Sequence, residues 1–108
     1  IDGGAGDDII TASADGDSIS GGADFDTVDY SGSSSAVTAY LDGTLGTGGL
    51  AAGDTLSLVE RLLGTTGDDT LVGAGTDDTL EGSGGVDTLN GNAGDDTIIA
   101  GAGNDLIN

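Results

Sequence analysis

The sequence contains no cysteine, no histidine and no lysine, and Arg61 is its only basic side chain. Without cysteine there can be no disulfide, thiolate metal site or thiol nucleophile. Without histidine there can be no histidine-based zinc site or Ser-His triad, and the commonest general base is missing. The formal net charge of −19 repels phosphate and anionic headgroups, which argues against nucleic acid or an anionic membrane surface as a partner. No apolar run approaches the roughly 20 residues of a transmembrane segment.

Large apolar side chains are also scarce. This composition lies near the border at which a polypeptide buries too little apolar surface to fold. Glycine accounts for 23 of the 108 residues, which in the absence of a repeat is typical of a flexible, low-complexity chain. Whether the chain folds therefore depends on whether it contains a repeat.

A nine-residue repeat accounts for most of the chain. Eight copies, from GGAGDDIIT at 3–11 to AGAGNDLIN at 100–108, fall into two blocks that span 1–29 and 64–108. A linking segment, 30–63, separates the blocks. The eighth position of every copy is Ile, Val or Leu, and the sixth is always Asp. The sixth-position aspartates are Asp8, Asp17, Asp26, Asp69, Asp78, Asp87, Asp96 and Asp105.

Each copy divides into a turn and a short strand. Its first six residues are rich in Gly, Ala, Ser, Asp and Asn, which suit turns with positive φ. Its last three are polar, apolar and polar, which predicts a minimal strand with one inward side chain. Two copies would form one 18-residue coil, with the strands of alternate copies stacked in parallel about 4.8 Å apart. The sequence thus predicts an all-β fold, a parallel β-roll or β-solenoid of about six such coils.

Stacking of alternate copies brings their sixth-position carboxylates together. Two carboxylates about 5 Å apart repel by roughly 3 kcal/mol at an effective dielectric of 20, so a column of them needs a cation. Carboxylate and turn carbonyl oxygens in an adaptable cage suit Ca²⁺ better than Mg²⁺ or transition metals. Alternatively, Asp merely suits turns, but Asn, Gly or Ser would then share the position. The sequence therefore predicts several calcium sites.

The copy GGAGDDIIT resembles the G-G-x-G-x-D-x-U-x nonapeptide of the repeats-in-toxin (RTX) family, also called haemolysin-type calcium-binding repeats. The resemblance implies that Ca²⁺ is held between turns of alternate copies by the eight aspartates and by turn carbonyls. The implied glycine ligands are Gly4, Gly6, Gly64, Gly67, Gly73, Gly82, Gly85, Gly91, Gly94, Gly101 and Gly103. It also implies type I secretion from a Gram-negative-type bacterium, and folding outside the cell.

Three turns depart from the nonapeptide. Copy 12–20 begins with Ala12 and Ser13 instead of two glycines, and Asp24 and Thr76 stand at fourth positions where glycine is expected. We expect sites that use these turns to be distorted, weaker or empty, and those that use Asp17 above all.

The linking segment keeps part of the strand pattern. Residues 35–41 alternate, with Val37, Ala39 and Leu41 on one face. A loop rich in Gly and Thr follows at 42–53.

The end of the linking segment allows two interpretations. Leu56, Val59 and Leu62 have a spacing that suits either one helical turn or further solenoid strands. Strands are favoured because the 34 residues of the segment are close to two coils. Glu60 and Arg61 are expected to form a solvated ion pair of little energetic worth.

These features predict a calcium-dependent structural module of a larger secreted or cell-surface protein, such as a toxin, protease, adhesin or surface-layer subunit. Its partners are then calcium and the rest of the parent polypeptide. No catalytic residue is predicted, because repeated carboxylate pairs share one environment and catalysis needs two differently tuned groups.

An adhesive or ice-binding solenoid is the alternative. It would use the 42–53 loop or outward threonines, and self-association or a surface ligand stays open. An ice-binding face needs a second regular row, and the ninth position varies. The outward threonines of the seventh position are Thr27, Thr70, Thr79, Thr88 and Thr97.

Overall fold

Twelve short strands and one 3-10 helix form the regular structure in the computed structural model, which describes residues 1–108. In chain order the strands are β1 (Asp2–Ala5), β2 (Ile9–Thr11), β3 (Ser18–Ala23), β4 (Thr27–Asp29), β5 (Thr38–Tyr40), β6 (Thr55–Ser57), β7 (Arg61–Leu63), β8 (Thr70–Val72), β9 (Thr79–Glu81), β10 (Thr88–Asn90), β11 (Thr97–Ile99) and β12 (Leu106–Ile107). Most hold three residues because each repeat has only three positions that suit extended backbone. The 3-10 helix is Gly49–Ala51, and no helix has the length and apolar character needed to cross a membrane.

The strands form three parallel sheets. A five-stranded sheet has the order β11-β9-β7-β4-β2, a four-stranded sheet β12-β10-β8-β5, and a three-stranded sheet β1-β3-β6. Strands of alternate copies pair in register, so that Thr70 lies beside Thr88 and Leu71 beside Leu89. Along the chain, strands of the five-stranded sheet alternate with strands of the other two, except that β6 follows β5 directly. The predicted parallel β-roll is therefore confirmed.

One core of apolar side chains lies between the sheets. The middle residue of each three-residue strand points inward because side chains alternate along extended backbone. Leu71, Leu80 and Leu89 are fully buried, whereas Ile107, at the end of the roll, is 54% exposed. The other buried strand centres are Ile10, Ile19, Val28, Ala39, Leu56 and Leu62. Burial of each aliphatic side chain contributes about 2 kcal/mol.

The linking segment joins the two blocks differently on the two sides of the roll. On one side β7 pairs with both β4 and β9, so that Leu62 lies between Val28 and Leu80. On the other side β6 pairs with β3 and β5 pairs with β8, but β5 and β6 do not pair with each other. The first block's copies 3–11 and 21–29 thus share a sheet with copies 73–81 and 91–99, an alignment that repeat counting left open.

Residues between β5 and β6 connect the divided sheets. Thr47 exchanges two backbone hydrogen bonds with Thr38 at 2.7 and 2.9 Å, in the antiparallel sense. Gly46 donates its N–H to the Asp54 carbonyl at 2.8 Å. The backbone groups that a continuous sheet would pair are in this way satisfied by the loop.

Candidate metal centre

The sixth-position aspartates lie at the ends of turns, directly before strands, and each faces the turn of a neighbouring coil. The backbone N–H of Asp8 donates to Oδ1 of Asp26 at 2.9 Å. Asp69 donates in the same way to Asp87 at 2.9 Å, and Asp87 to Asp105 at 2.9 Å. Asp78 and Asp96 repeat the bond at 3.0 Å. A ladder of hydrogen bonds thus connects the acidic residues of alternate copies.

Several of these carboxylates are buried. Asp26 and Asp87 are 0% exposed, Asp69 is 1% and Asp78 is 2%. Burial raises the pKa of the Asp87 carboxyl, and the charges of Asp69 and Asp105 raise it further against the lowering effect of the Asp69 N–H. Burial also raises the pKa of Asp78. The column therefore carries a desolvation cost that a positive charge would relieve.

Three of the carboxylates have an oxygen that is buried and has no hydrogen-bond partner. These atoms are Oδ2 of Asp8, Asp26 and Asp87. In contrast, Oδ2 of Asp69 accepts the Thr65 N–H and Oδ2 of Asp78 accepts the Ala74 N–H, each at 2.6 Å. A buried polar atom without a partner is costly, and a cation beside these three oxygens would relieve that cost.

The first-position glycines make room for these oxygens. A Cβ on Gly82 would lie 2.3 Å from Oδ2 of Asp87 and 2.7 Å from the Ala100 carbonyl oxygen. A Cβ on Gly3 would lie 2.8 Å from Oδ2 of Asp8 and 2.5 Å from the Gly21 carbonyl oxygen. Glycine is required here because a carboxylate and a carbonyl of the next coil converge on the space that a side chain would fill.

The donor set fits calcium. The converging atoms are carboxylate and carbonyl oxygens, the hard ligands that Ca²⁺ takes in sets of 6–8. No three acidic side chains meet at one point, so an ion there would rely on carbonyls beside one or two carboxylates. The predicted glycines provide such turns, and fourth-position Gly85 and Gly94 have φ of 116° and 126°, which favours glycine.

Two departures from the nonapeptide supply protein donors to the carboxylates. Asp17, in the copy without the leading glycines, accepts the Ser13 hydroxyl on Oδ2 at 2.8 Å. The hydroxyl of Thr76, which replaces a glycine, donates to Oδ1 of Asp78 at 3.2 Å. These carboxylates already have partners that those of Asp26 and Asp87 lack.

Two acidic residues of the linking segment were missed as candidate site residues. Oδ1 of Asp54 accepts the Asp17 N–H at 2.8 Å, and Oε2 of Glu60 accepts the Asp26 N–H at 2.9 Å. Both immediately precede a strand, as sixth-position aspartates do. The signal was present, because Asp54-Thr55-Leu56 repeats the commonest phrase of the copies and Glu60 lies two residues before the core residue Leu62.

A tyrosine occupies the position of a first-position glycine in the linking segment. Tyr30 follows β4 directly, is 0% exposed, and donates its hydroxyl to Oδ2 of Asp54 at 2.9 Å. Burial, followed by the charge of Asp54, raises the pKa of Tyr30. Further along, Val37 donates its N–H to Oδ1 of Asp69 at 2.8 Å but brings no carboxylate of its own. At Asp54 the Tyr30 hydroxyl thus donates a hydrogen bond to Oδ2. The corresponding oxygen of Asp87 has no hydrogen-bond partner.

The prediction of an ion pair between Glu60 and Arg61 is wrong. Arg61 instead pairs with Glu81 on the neighbouring strand β9, and the two side chains are 35% and 27% exposed. Consecutive residues of extended backbone point to opposite faces, so Arg61 points outward while Glu60 serves the turn.

A parallel roll whose turns align buried carboxylates with carbonyl oxygens defines a class of protein, the metal-binding β-solenoid repeats. The family described as RTX calcium-binding nonapeptide repeat (4 copies) matches residues 1–28, 54–89 and 81–108. The chain belongs to this family, whose repeats are structural calcium-binding modules, and is a calcium-binding β-roll module. Residues 29–53, which hold Tyr30 and Val37, lie outside the match. Comparison with curated proteins found no significant match.

Proposed function

We propose that this chain is a calcium-triggered folding module of a larger protein that is secreted or displayed at the cell surface. The observation that carries the proposal is the set of buried, unpartnered carboxylate oxygens on Asp8, Asp26 and Asp87. Without a cation these oxygens oppose folding, and with one they favour it. Binding free energy then becomes folding free energy.

The proposed ligands are the sixth-position aspartates and turn carbonyls of alternate copies. Asp87 with the Ala100 carbonyl, and Asp8 with the Gly21 carbonyl, have strong geometric support, because in each pair an Oδ2 without a hydrogen-bond partner converges with a carbonyl oxygen above a first-position glycine. Asp69, Asp78, Asp96 and Asp105, and the predicted glycine carbonyls, complete the proposed set. Asp17 is the weakest candidate, since Ser13 already serves its carboxylate.

Chain charge supports a switch driven by the calcium concentration. The net charge of −19 opposes compaction, and several coupled sites would neutralise it together. One site contributes about 2.7 kcal/mol when calcium exceeds its Kd by 100-fold. Extracellular sites commonly have Kd values of about 10⁻⁴–10⁻³ M, far above cytosolic calcium. We therefore place folding outside the cell, after type I secretion of a toxin, protease, adhesin or surface-layer protein.

Calcium titration of the secondary structure tests this function. We expect the far-UV circular dichroism of the chain in chelator to be that of a mostly unfolded polypeptide, and to gain β-sheet signal steeply as Ca²⁺ is added. Mg²⁺ at equal ionic strength is the control, because its demand for near-octahedral geometry suits this cage poorly. Identical spectra in chelator and in Ca²⁺ would refute the switch.

A further inference from the structure

We infer that the linking segment completes a calcium site with a turn that lies outside the eight copies, between turn 21–26 and turn 58–60, with Asp26 and Glu60 as its acidic ligands. The inference rests on the proposed calcium function. The central observation is Oδ2 of Asp26, which is buried and has no hydrogen-bond partner, in a residue that is 0% exposed.

A carbonyl oxygen of the linking segment stands beside that atom. A Cβ on Gly21 would lie 2.6 Å from Oδ2 of Asp26 and 2.0 Å from the Leu58 carbonyl oxygen. The same arrangement recurs at Gly82, where the two distances, to Asp87 and to the Ala100 carbonyl, are 2.3 and 2.7 Å. Leu58 therefore presents its carbonyl where a consensus copy presents that of its first residue.

Glu60 takes the role of the next sixth-position aspartate. Its Oε2 accepts the Asp26 N–H at 2.9 Å, as Oδ1 of Asp87 accepts the Asp69 N–H at 2.9 Å. Glu60 also precedes β7, the strand that stacks on β4, just as Asp26 precedes β4. Both parts of a consensus site, the carbonyl and the second carboxylate, are thus present without the consensus sequence.

The turn that carries Glu60 is short but lies against the neighbouring turn. Residues 58–60 connect β6 to β7, whereas 73–78 connect β8 to β9, so the linking turn is three residues shorter. The backbone N–H of Glu60 donates to the Asp26 carbonyl at 3.1 Å. Leu58 adopts φ of 52° with its side chain 62% exposed, a conformation that aims its carbonyl at the Gly22 N–H, 3.2 Å away.

Calcium stoichiometry of the 108-residue chain tests the site. Equilibrium dialysis against Ca²⁺ would count bound ions for the wild type, for Glu60→Gln and for Glu81→Gln, the matched control at the other glutamate. Glutamine keeps an oxygen for the Asp26 N–H but removes the charge. We expect Glu60→Gln to bind one ion fewer than the wild type at saturation, and Glu81→Gln to bind the wild-type number. Equal stoichiometry for all three would overturn the assignment.

Two further results separate this inference from the proposed function. If the wild type binds no calcium, both fail; if it binds calcium and Glu60→Gln binds as many ions, only the Glu60 site fails. Should Glu60→Gln not fold at any calcium concentration, Glu60→Asp replaces it. We expect the Glu60→Asp variant to bind the wild-type number of ions with a weaker affinity for calcium. The site would be overturned if this variant does not fold, or if it binds calcium as tightly as the wild type.

Discussion

The two sides of the roll differ in how the linking segment connects the two repeat blocks. On the five-stranded side, β7 continues the sheet, and Glu60 continues the row of carboxylates after Asp8 and Asp26. On the opposite side the sheet divides between β5 and β6. There Val37 occupies one carboxylate position, and the hydroxyl of Tyr30 serves Asp54.

The contrast teaches that a buried carboxylate in this fold can be compensated in two ways. At Asp54 the protein supplies its own donor, and the oxygen has a partner without any ion. At Asp26 and Asp87 a backbone N–H reaches Oδ1 but no donor reaches Oδ2, the oxygen that we propose a cation would contact. The stability of the roll should therefore depend on calcium unevenly along its length. The dependence should be high in the repeat blocks and low around the buried Tyr30.

The largest expected effect comes from removing a carboxylate that borders two neighbouring turns. Asp87 lies between Asp69 and Asp105, whereas Asp105 has one such neighbour. We expect Asp87→Ala to raise the calcium midpoint of folding more than Asp105→Ala. Loss of two sites costs about 5 kcal/mol and loss of one about 2.7 kcal/mol when calcium is at 100 times the Kd. Circular dichroism during calcium titration measures both midpoints, and equal shifts would contradict sharing of Asp87 between neighbouring turns.

An intermediate effect is expected where the protein supplies the donor. Tyr30→Phe leaves Oδ2 of Asp54 buried without a partner, at a cost of about 1–3 kcal/mol. Urea unfolding in saturating calcium measures the loss. Tyr40→Phe is the control, because Tyr40 is half-buried and its hydroxyl makes no hydrogen bond within the chain, so that a change within about 0.5 kcal/mol is expected. A loss no greater for Tyr30→Phe than for the control would show that the hydroxyl does not take the place of an ion.

The smallest effect is expected from a change of pH. Acidification should change the β-structure content in opposite directions in chelator and in calcium. The pKa values of Asp78 and Asp87 are raised in the folded chain, mainly by burial. A carboxyl whose pKa is higher in the folded than in the unfolded chain stabilises the folded state as the pH falls through its folded-state pKa. The gain in folding free energy is complete below the unfolded-state pKa of about 3.9. In chelator, acidification from pH 7 to about 4 should therefore increase β structure. In calcium the same change should decrease it, because protonated carboxyls release the ion.

Circular dichroism at a series of pH values, recorded in chelator and in calcium, makes that measurement. The paired conditions act as controls for each other, since only the presence of the ion differs. A loss of structure on acidification in chelator would mean that burial of Asp78 and Asp87 does not oppose folding of the calcium-free chain.

Much of the roll followed from repetition alone. The aspartate before each strand and the aliphatic residue at its centre predicted coils, stacking of alternate copies and the core positions of Leu71, Leu80 and Leu89, because a short-range pattern imposes the same geometry each time it recurs. Of the two acidic residues that were missed, Glu60 keeps the period, nine residues before Asp69, but has glutamate in place of aspartate. Asp54 lies where the period breaks, so its place in the columns could not be counted from neighbouring copies.

By itself, the sequence determined the strand-and-turn unit, the all-oxygen ligand chemistry and the inward aliphatic residues, since these depend on residues a few positions apart. Only the tertiary structure decided which sides of the two blocks align, that Arg61 pairs with Glu81, and that Tyr30 reaches Asp54. Each of these depends on how a segment of 34 residues crosses from one sheet to another. That crossing is governed by packing and hydrogen bonding between distant residues, and no local pattern encodes it.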